Sequence, residues 1–251
     1  SDNGASSIGG PAGSANIFEK RVTQQENPEL AAGMLKAGTL GDVDSYPAYP
    51  VAWAQASNTP FRFYKRTPMN GGIRVPFLAH WPRGISDGGS LRSQWVHATD
   101  LLPTVLDLLQ MDYPAQHRGY ATRKPDGVSF AKTFQQGDSP SRRDRQYYEL
   151  EGNRGYRLGP WKAVSLQPPG QPIDLERWML FNLDDDPTEC RNVAAAHPEK
   201  LSELVAAFEE DAQAFQVYPL DNRDNRRVLA VPDPLREFVD TPRDFWAGPE
   251  V

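Results

Sequence analysis

RQYYELEGNRGYRLGPWKAVSL, residues 145–166, is the stretch that decides the predicted fold. It holds short aromatic and β-branched runs at 146–151, 156–158 and 161–166, separated by glycine and proline, and another run follows at 178–183. Short runs bounded by turn residues are typical of strands that pair with their neighbours in the chain. The stretch therefore predicts an antiparallel meander of three or four strands.

An amphipathic helix is predicted directly after the meander. His197-Pro198 is a suitable helix start, because proline is tolerated in the first turn. Apolar residues then recur at helical spacing, namely Leu201, Leu204, Val205, Phe208, Ala212 and Phe215. We expect this helix to pack on the meander and to complete a small α+β unit over residues 145–216. The Pro- and Arg-rich residues 217–251 are expected to form an extended tail that wraps a neighbouring part.

Upstream of the meander, a nearly continuous apolar run at 73–81 predicts a strand buried on both faces, as in a parallel or mixed α/β sheet. His80 inside this run is expected to be a core histidine. Thr99 and Asp100 offer an N-cap for a helix over 101–109, whose leucines and valine have helical spacing.

Residues 1–72 are rich in Gly, Ser, Ala, Pro and Asn, and they predict long ordered loops with one short helix between residues 16 and 34. Tyr46, Tyr49 and Trp53 lie in one such loop. They are interpreted either as core packing or as the lining of an apolar pocket for an aryl group.

Composition excludes several classes of function. The net charge is −6 and no long run of one sign occurs, which argues against nucleic acid as a partner. The single cysteine, Cys190, excludes an intrachain disulfide and a cysteine-based zinc site, and it is expected to be inert. A mean hydropathy of −0.62 predicts no membrane span. The composition is compatible with a location in the bacterial cytoplasm or in the periplasm, and it does not decide between the two. Because the chain opens on Ser1 without a methionine or a leader, we expect it to be a segment of a longer protein.

Two short patterns suggest chemistry. Asp2 and Asn3 place a carboxylate beside a carboxamide, and such hard oxygen donors suit Ca²⁺ or Mg²⁺. Gly4 would let the chain turn away from them, although Asp-Asn-Gly is also an ordinary turn. Lys65 precedes Gly71-Gly72, which is predicted to be a turn into the buried strand. It would offer a positive charge to a tetrahedral oxyanion, or it is a solvated loop lysine. His97 is expected to be a structural or surface residue.

Read together, these blocks resemble the sulfatase family of the alkaline phosphatase superfamily. The similar blocks are Ser1–Ala5, Asn58–Lys65 with Gly71–Pro76, His97–Asp107, Gly159–Lys162, Leu180–Leu183 with Asp186–Glu189, and Val217–Asp221. The resemblance implies an α/β fold: residues 1–144 would be the C-terminal part of an alkaline-phosphatase-like mixed sheet. The small α+β subdomain over 145–216, with its antiparallel sheet and one packed helix, would follow.

The resemblance also implies a function. Asp2 and Asn3 would ligate Ca²⁺, Mg²⁺ being the less favoured ion, and Lys65 would bind a sulfate oxygen of a small-molecule aryl or alkyl sulfate ester. The nucleophile would be a formylglycine made in a C-x-P-x-R block, and no such block occurs here, because Cys190 is followed by Arg191-Asn192-Val193. We therefore expect the nucleophile to lie in a missing N-terminal half and the fragment alone to be inactive. A phosphodiesterase or phosphonate monoester hydrolase of the same superfamily, and a non-catalytic module with this fold, are the alternatives.

Overall fold

The computed structural model describes residues 1–18, 27–43 and 45–223. Among the described residues, the part up to residue 144 is mainly loops and short helices. Its elements are α1 (Pro28–Ala37), α2 (Val51–Ser57), α3 (Asn70–Ile73), a 3₁₀ turn (Ala98–Asp100), α4 (Leu101–Leu108), the hairpin β1 (Gln116–His117) and β2 (Tyr120–Ala121), and a second 3₁₀ turn (Ala131–Phe134). Within the described chain, no helix has the length and apolar character needed to cross a bilayer.

The predicted meander is confirmed. Strands β3 (Arg145–Leu150), β4 (Asn153–Leu158), β5 (Trp161–Ser165) and β6 (Met179–Asn182) form one antiparallel sheet in chain order. Two-residue turns join the first three strands, since Leu150 pairs with Asn153 and Leu158 with Trp161. Glu151 and Gly152 both have positive φ, at 57° and 79°, as the tight hairpin turn between twisted strands requires.

The predicted helix is confirmed as α5 (Pro198–Ala214), with Pro198 in its first turn. Leu204, Phe208 and Ala212, four residues apart, are fully buried. They pack on Tyr156, Ala163 and Leu180 of the sheet, and this contact forms the main core cluster. Full burial of a side chain such as Phe208 contributes about 1.5–3 kcal/mol. We call β3 to β6 together with α5 the sheet unit; the domain boundary after residue 144 stays a prediction.

The other face of the sheet packs on the loop that carries Lys65. Val164 and Phe181 follow Ala163 and Leu180 in their strands, so they point to the opposite face. They are fully buried against Met69 of the 58–73 loop. The sheet unit therefore has α5 on one face and the candidate site loop on the other.

The predicted strand at 73–81 is wrong. Residues 74–81 form no strand, and Phe77 and Leu78 are 52% and 88% exposed. A strand requires a neighbouring strand that accepts and donates its backbone hydrogen bonds, and no described segment pairs with this one. His80 is consequently exposed, so its expected core position is wrong too.

Within the range 16–34 in which a short helix was predicted, Ile17 and Phe18 are helical, and α1 covers residues 28–34 before it continues to Ala37. Asn27 caps its start, since the side chain accepts a hydrogen bond from the backbone N–H of Leu30 at 3.0 Å, and Gly38 ends it in the left-handed conformation. Residues 19–26 and, of the predicted tail, residues 224–251 lie outside the described residues. The described start of the tail packs on the sheet unit, where Asn222 donates to Pro168 O at 3.1 Å.

Candidate functional site

The structure brings the two predicted site segments side by side. The backbone N–H of Gly4 donates to Gly72 O at 2.8 Å, and that of Lys65 donates to Ala5 O at 2.9 Å. A third bond runs from Ala5 N–H to the side-chain oxygen of Asn58 at 2.9 Å. Asp2, Asn3 and Lys65 are thus carried by adjoining segments that are 60 residues apart in sequence, while their roles stay predictions.

Glycine makes this approach possible. A Cβ on Gly4 would lie 1.8 Å from Gly71 O, and a Cβ on Gly71 would lie 2.2 Å from Phe63 O. A Cβ on Gly72 would lie 2.2 Å from Thr67 O. These contacts are closer than any side-chain carbon tolerates, so the three glycines serve close backbone packing. Gly71 and Gly72 belong to helix α3, whereas a turn into a strand was predicted there.

Asp2 and Asn3 present oxygen donors toward solvent. Asp2 is exposed and Asn3 is half-buried. The amide nitrogen of Asn3 donates to Gly4 O at 2.8 Å, which leaves its carbonyl oxygen as an acceptor. The carboxylate of Asp2 has no hydrogen-bond partner within the described chain. Both oxygens fit a hard cation such as Ca²⁺.

These two residues supply only part of a calcium shell. Ca²⁺ takes about 6–8 oxygen ligands, and the described residues contain no cluster of three or more His, Cys, Asp or Glu side chains that would hold a metal. Among the described residues, Asp2 and Asn3 would therefore supply two ligands of such a shell.

Lys65 lies at an exposed turn with an unusual backbone. Phe63 and Arg66 on either side have φ of 65° and 79°, a region that L-residues seldom adopt and that costs about 1–3 kcal/mol when packing enforces it. Lys65 is exposed, and no ion pair involving it is found in the described parts. Its ammonium group is therefore available to an anion.

A buried ion pair beside this loop was missed by the sequence interpretation. Lys162 of β5 and Glu189 are both fully buried, and Lys162 Nζ donates to Glu189 Oε1 at 2.6 Å. Lys162 Nζ also donates to Asn70 Oδ1 at 3.0 Å. Burial lowers the pKa of Lys162, and the charge of Glu189 opposes that shift. One signal was present in the sequence: Lys162 shares its strand face with Val164, so alternation in β5 directs a lysine into the core.

The sheet unit holds the same loop at a second place. The Arg66 guanidinium forms an ion pair with Glu151, with Nε donating at 2.7 Å. The side chain of Asn153 donates to Arg66 O at 3.2 Å. Arg66 directly follows Lys65, so the turn between β3 and β4 fixes the backbone next to the candidate lysine.

An aromatic loop borders the site. Tyr46, Tyr49 and Trp53 are 56%, 43% and 65% exposed, so the core-packing interpretation of this loop is wrong. The Tyr49 hydroxyl accepts a hydrogen bond from Ser6 N–H at 3.2 Å, one residue beyond the Ala5 that contacts Lys65. Tyr49 therefore contacts the segment that continues from Asp2 and Asn3.

Two residues that the sequence left without a catalytic role have structural surroundings. His97 begins the 3₁₀ turn and accepts from Thr99 N–H at 3.3 Å, as expected for a structural residue. Burial lowers its pKa, as does the charge of Arg143. Cys190 is a free, exposed thiol close to Thr188.

Comparison with protein families finds the sulfatase family model over residues 1–111. An uncharacterised sulfatase of Schizosaccharomyces pombe is 33% identical over 169 residues, which are 66% of this chain and 30% of that protein. Arylsulfatase K of Xenopus laevis is 28% identical over 70% of this chain and 32% of its own length. The chain thus spans about a third of the length of these curated relatives.

Among solved structures, that of Ps i-CgsB has a similar fold. It matches with a TM-score of 0.51 and 23% identity, over 72% of this chain and 39% of the other. The same protein has also been solved in complex with k-i-k-neocarrahexaose, with the same TM-score. At this identity the likeness concerns the fold alone.

Proposed function

The chain belongs to the sulfatase family of the alkaline phosphatase superfamily, and on that premise we propose that the complete protein hydrolyses sulfate esters to an alcohol and inorganic sulfate. The observation that supports this most is the backbone junction of the two site segments. Gly4 bonded to Gly72 and Ala5 bonded to Lys65 put two oxygen donors and a free ammonium group on adjoining chain segments.

In this proposal Lys65 binds an oxygen of the sulfate group. An ammonium and an anion 4 Å apart near a protein surface interact by about 4 kcal/mol, which is worth about a thousandfold in rate if it acts only in the transition state. The contact of Arg66 with Glu151 holds the backbone next to Lys65, from which the ammonium group extends.

Asp2 and Asn3 would hold Ca²⁺ through one carboxylate and one carboxamide oxygen. When bound, the cation would supply charge stabilisation to the sulfate oxygens. The formylglycine nucleophile that the family implies has no matching residue in this chain, since the only cysteine is exposed Cys190 outside any C-x-P-x-R block. No step is therefore derived through that group.

The substrate would be an aryl or alkyl sulfate whose organic part contacts the aromatic loop. Exposed Tyr49 is bonded to Ser6 of the site segment, and exposed Trp53 follows farther along the same stretch of chain. Flat rings suit either an aryl group or the apolar face of a sugar. A relative in Bacteroides thetaiotaomicron is named N-acetylgalactosamine-6-O-sulfatase. A sulfated saccharide is accordingly among the substrates to be assayed.

The described part of the chain exposes several apolar side chains, and we propose that further sequence of the same protein covers them. Phe77 and Leu78 on one segment, and Leu102 and Val105 on α4, are between 48% and 88% exposed. Apolar surface of this extent marks a contact surface. Because the chain spans about a third of its relatives, the remaining sulfatase sequence is the occupant that we propose.

The experiment measures hydrolysis by the complete protein with an aryl sulfate and, in parallel, with an aryl phosphate diester. Lys65→Ala and Asp2→Ala should each lower kcat/KM for the sulfate by about a hundredfold to a thousandfold. Lys200→Ala is the matched control, because Lys200 lies on α5 and forms an ion pair with exposed Glu203. Unchanged turnover in both site variants would contradict the site, and preference for the diester would favour the phosphodiesterase alternative.

A further inference from the structure

Glu189 occupies a central position between the sheet unit and the site loop. Its Oε1 accepts from Lys162 Nζ at 2.6 Å, and its Oε2 accepts from the backbone N–H of Asn70 at 2.6 Å. The backbone carbonyl of Glu189 accepts from the Arg62 guanidinium at 2.5 Å. One residue therefore binds both the beginning and the end of the loop that contains Lys65.

Asn70 is held from three directions. Lys162 donates to its side-chain oxygen at 3.0 Å, its side-chain nitrogen donates to Pro187 O at 2.8 Å, and its backbone N–H is bound by Glu189. Asn70 is only 5% exposed. The bonds to Lys162 and Glu189 are buried and the bond to Pro187 is partly buried, so the position of Asn70 is tightly determined.

Hydrogen bonds of the residues that follow Asn70 connect it both to the Asp2–Asn3 segment and to the Lys65 loop. Asn70 begins α3, and Gly72 in the same helical turn accepts the hydrogen bond from Gly4 next to Asn3. In the other direction, Gly71 N–H donates to Arg62 O at 2.9 Å, which closes the loop around Lys65. A displacement of Asn70 would therefore move the oxygen donors relative to the ammonium group.

Stability alone does not explain a charged pair at this place. Removing two charges from water costs several kcal/mol, and apolar residues of similar size often stabilise a core as well or better. Burial also works against the charge of Lys162, whose pKa it lowers. What the pair adds over an apolar contact is directed hydrogen bonds with a defined geometry.

We propose that Lys162 and Glu189 are positioning residues of the sulfatase site, which set the distance between the Asp2–Asn3 segment and Lys65 through Asn70. The inference rests on the proposed function. It assigns a role in the reaction to the sheet unit, whose residues lie outside both site segments.

The test compares two pairs of substitutions in the complete protein. Lys162→Met with Glu189→Leu removes both charges together, so that no unpaired charge is left in the core. The matched control is Arg143→Met with Asp100→Leu. That pair is also buried, with side chains 9% and 2% exposed, but it supports α4 and not the Lys65 loop.

Three experiments are made: thermal unfolding gives the melting temperature, steady-state kinetics give kcat and KM for an aryl sulfate, and hydrogen exchange follows the amides of Gly4, Lys65 and Asn70. The positioning pair should lower kcat by about a hundredfold, the loss that a misplacement of about 1 Å produces. Exchange at the three amides should become faster. The control pair should lower the melting temperature at least as much, yet leave kcat and these amides unchanged.

Glu189→Gln is the milder second variant, since it keeps the shape and one acceptor oxygen. As in the double variant, kcat should fall and amide exchange should become faster, here by about tenfold. Unchanged exchange and unchanged kcat in the folded variants would overturn the inference. If the complete wild-type protein does not hydrolyse the aryl sulfate, the proposed function fails instead, and the exchange data alone then decide whether Glu189 orders the loop.

Discussion

At the scale of single residues, three glycines carry the candidate site. Gly4, Gly71 and Gly72 let two backbones approach to hydrogen-bond distance, because each Cβ would meet a carbonyl oxygen at 1.8 to 2.2 Å. Sequence reasoning treats Asp-Asn-Gly and Gly-Gly as turns. In the structure their missing side chains serve a contact across the chain, and that contact places Asn3 near Lys65.

Gly4→Ala should therefore destabilise the protein and disturb the site. The added methyl group has backbone atoms in its way that cannot rotate aside, and such overpacking costs about 1–3 kcal/mol. Gly33→Ala is the control, because Gly33 lies inside α1 with open space around it. It should stabilise the helix by about 0.5–1 kcal/mol. Urea unfolding measures both, and equal effects of the two substitutions would contradict the close-approach explanation.

At the scale of elements, the start of α4 depends on one buried carboxylate. Asp100 accepts from His97 N–H at 2.8 Å, from Val128 N–H at 2.7 Å and from Arg143 Nε at 2.9 Å. Burial raises the pKa of Asp100, but the bonds from Arg143, Val128 and His97 outweigh it and lower the pKa below its usual value. Sequence reasoning predicted that Thr99 and Asp100 cap this helix, but the Asp100 side chain makes no cap hydrogen bond to α4, and its ion pair with Arg143 was not foreseen.

Asp100→Asn should destabilise the protein at pH 7 by about 3–5 kcal/mol, because it leaves Arg143 buried without its partner. The pKa of Asp100 is lower in the folded protein than in the unfolded chain. The stability that the ionised carboxylate contributes is therefore fully present above about pH 4, and it is lost as the pH falls through the lower pKa of the folded state. Urea unfolding at pH 7 and pH 3 should show the difference from wild type shrinking in acid. Asp126→Asn, in an exposed pair with Arg123, should change stability by less than about 1 kcal/mol at either pH. A pH-independent loss in Asp100→Asn would argue against the ionic contribution.

At the scale of the whole molecule, the two parts of the described chain differ in how they bury apolar residues. The sheet unit has a closed core between α5 and the sheet. The segment around Leu78 and the outer side of α4 present their apolar residues to solvent instead. The proposed cover for this surface is the remaining sequence of the sulfatase.

The substitution Leu78→Lys in the complete protein tests whether other sequence buries Leu78. If other sequence buries Leu78, the substitution should lower the stability by at least the transfer free energy of the side chain, about 1.5–3 kcal/mol. Leu175→Lys is the control in the sheet unit, where Leu175 is 53% exposed, and it should change stability by about 0.5 kcal/mol or less. Thermal unfolding of both variants gives the answer, and an unaltered melting temperature for Leu78→Lys would mean that the face stays open.

Local patterns were sufficient wherever an element is stabilised by its neighbours in the chain. The meander was predictable because two-residue turns at Glu151-Gly152 and Gly159-Pro160 pair consecutive strands. The last helix was predictable because Leu204 and Phe208 repeat at helical spacing beside a proline start. The family blocks were likewise readable as short strings, while the roles of Asp2, Asn3 and Lys65 stay predictions.

Only the tertiary structure decided which distant residues meet and which apolar runs are paired. Lys162 and Asn70 are 92 positions apart, and Asn70 and Glu189 are 119 apart, so no local period links them. The run at 73–81 has the composition of a strand, yet whether it becomes one depends on a partner strand elsewhere. Short-range patterns record what a segment prefers, whereas hydrogen bonds between remote segments depend on the folded chain that brings them together.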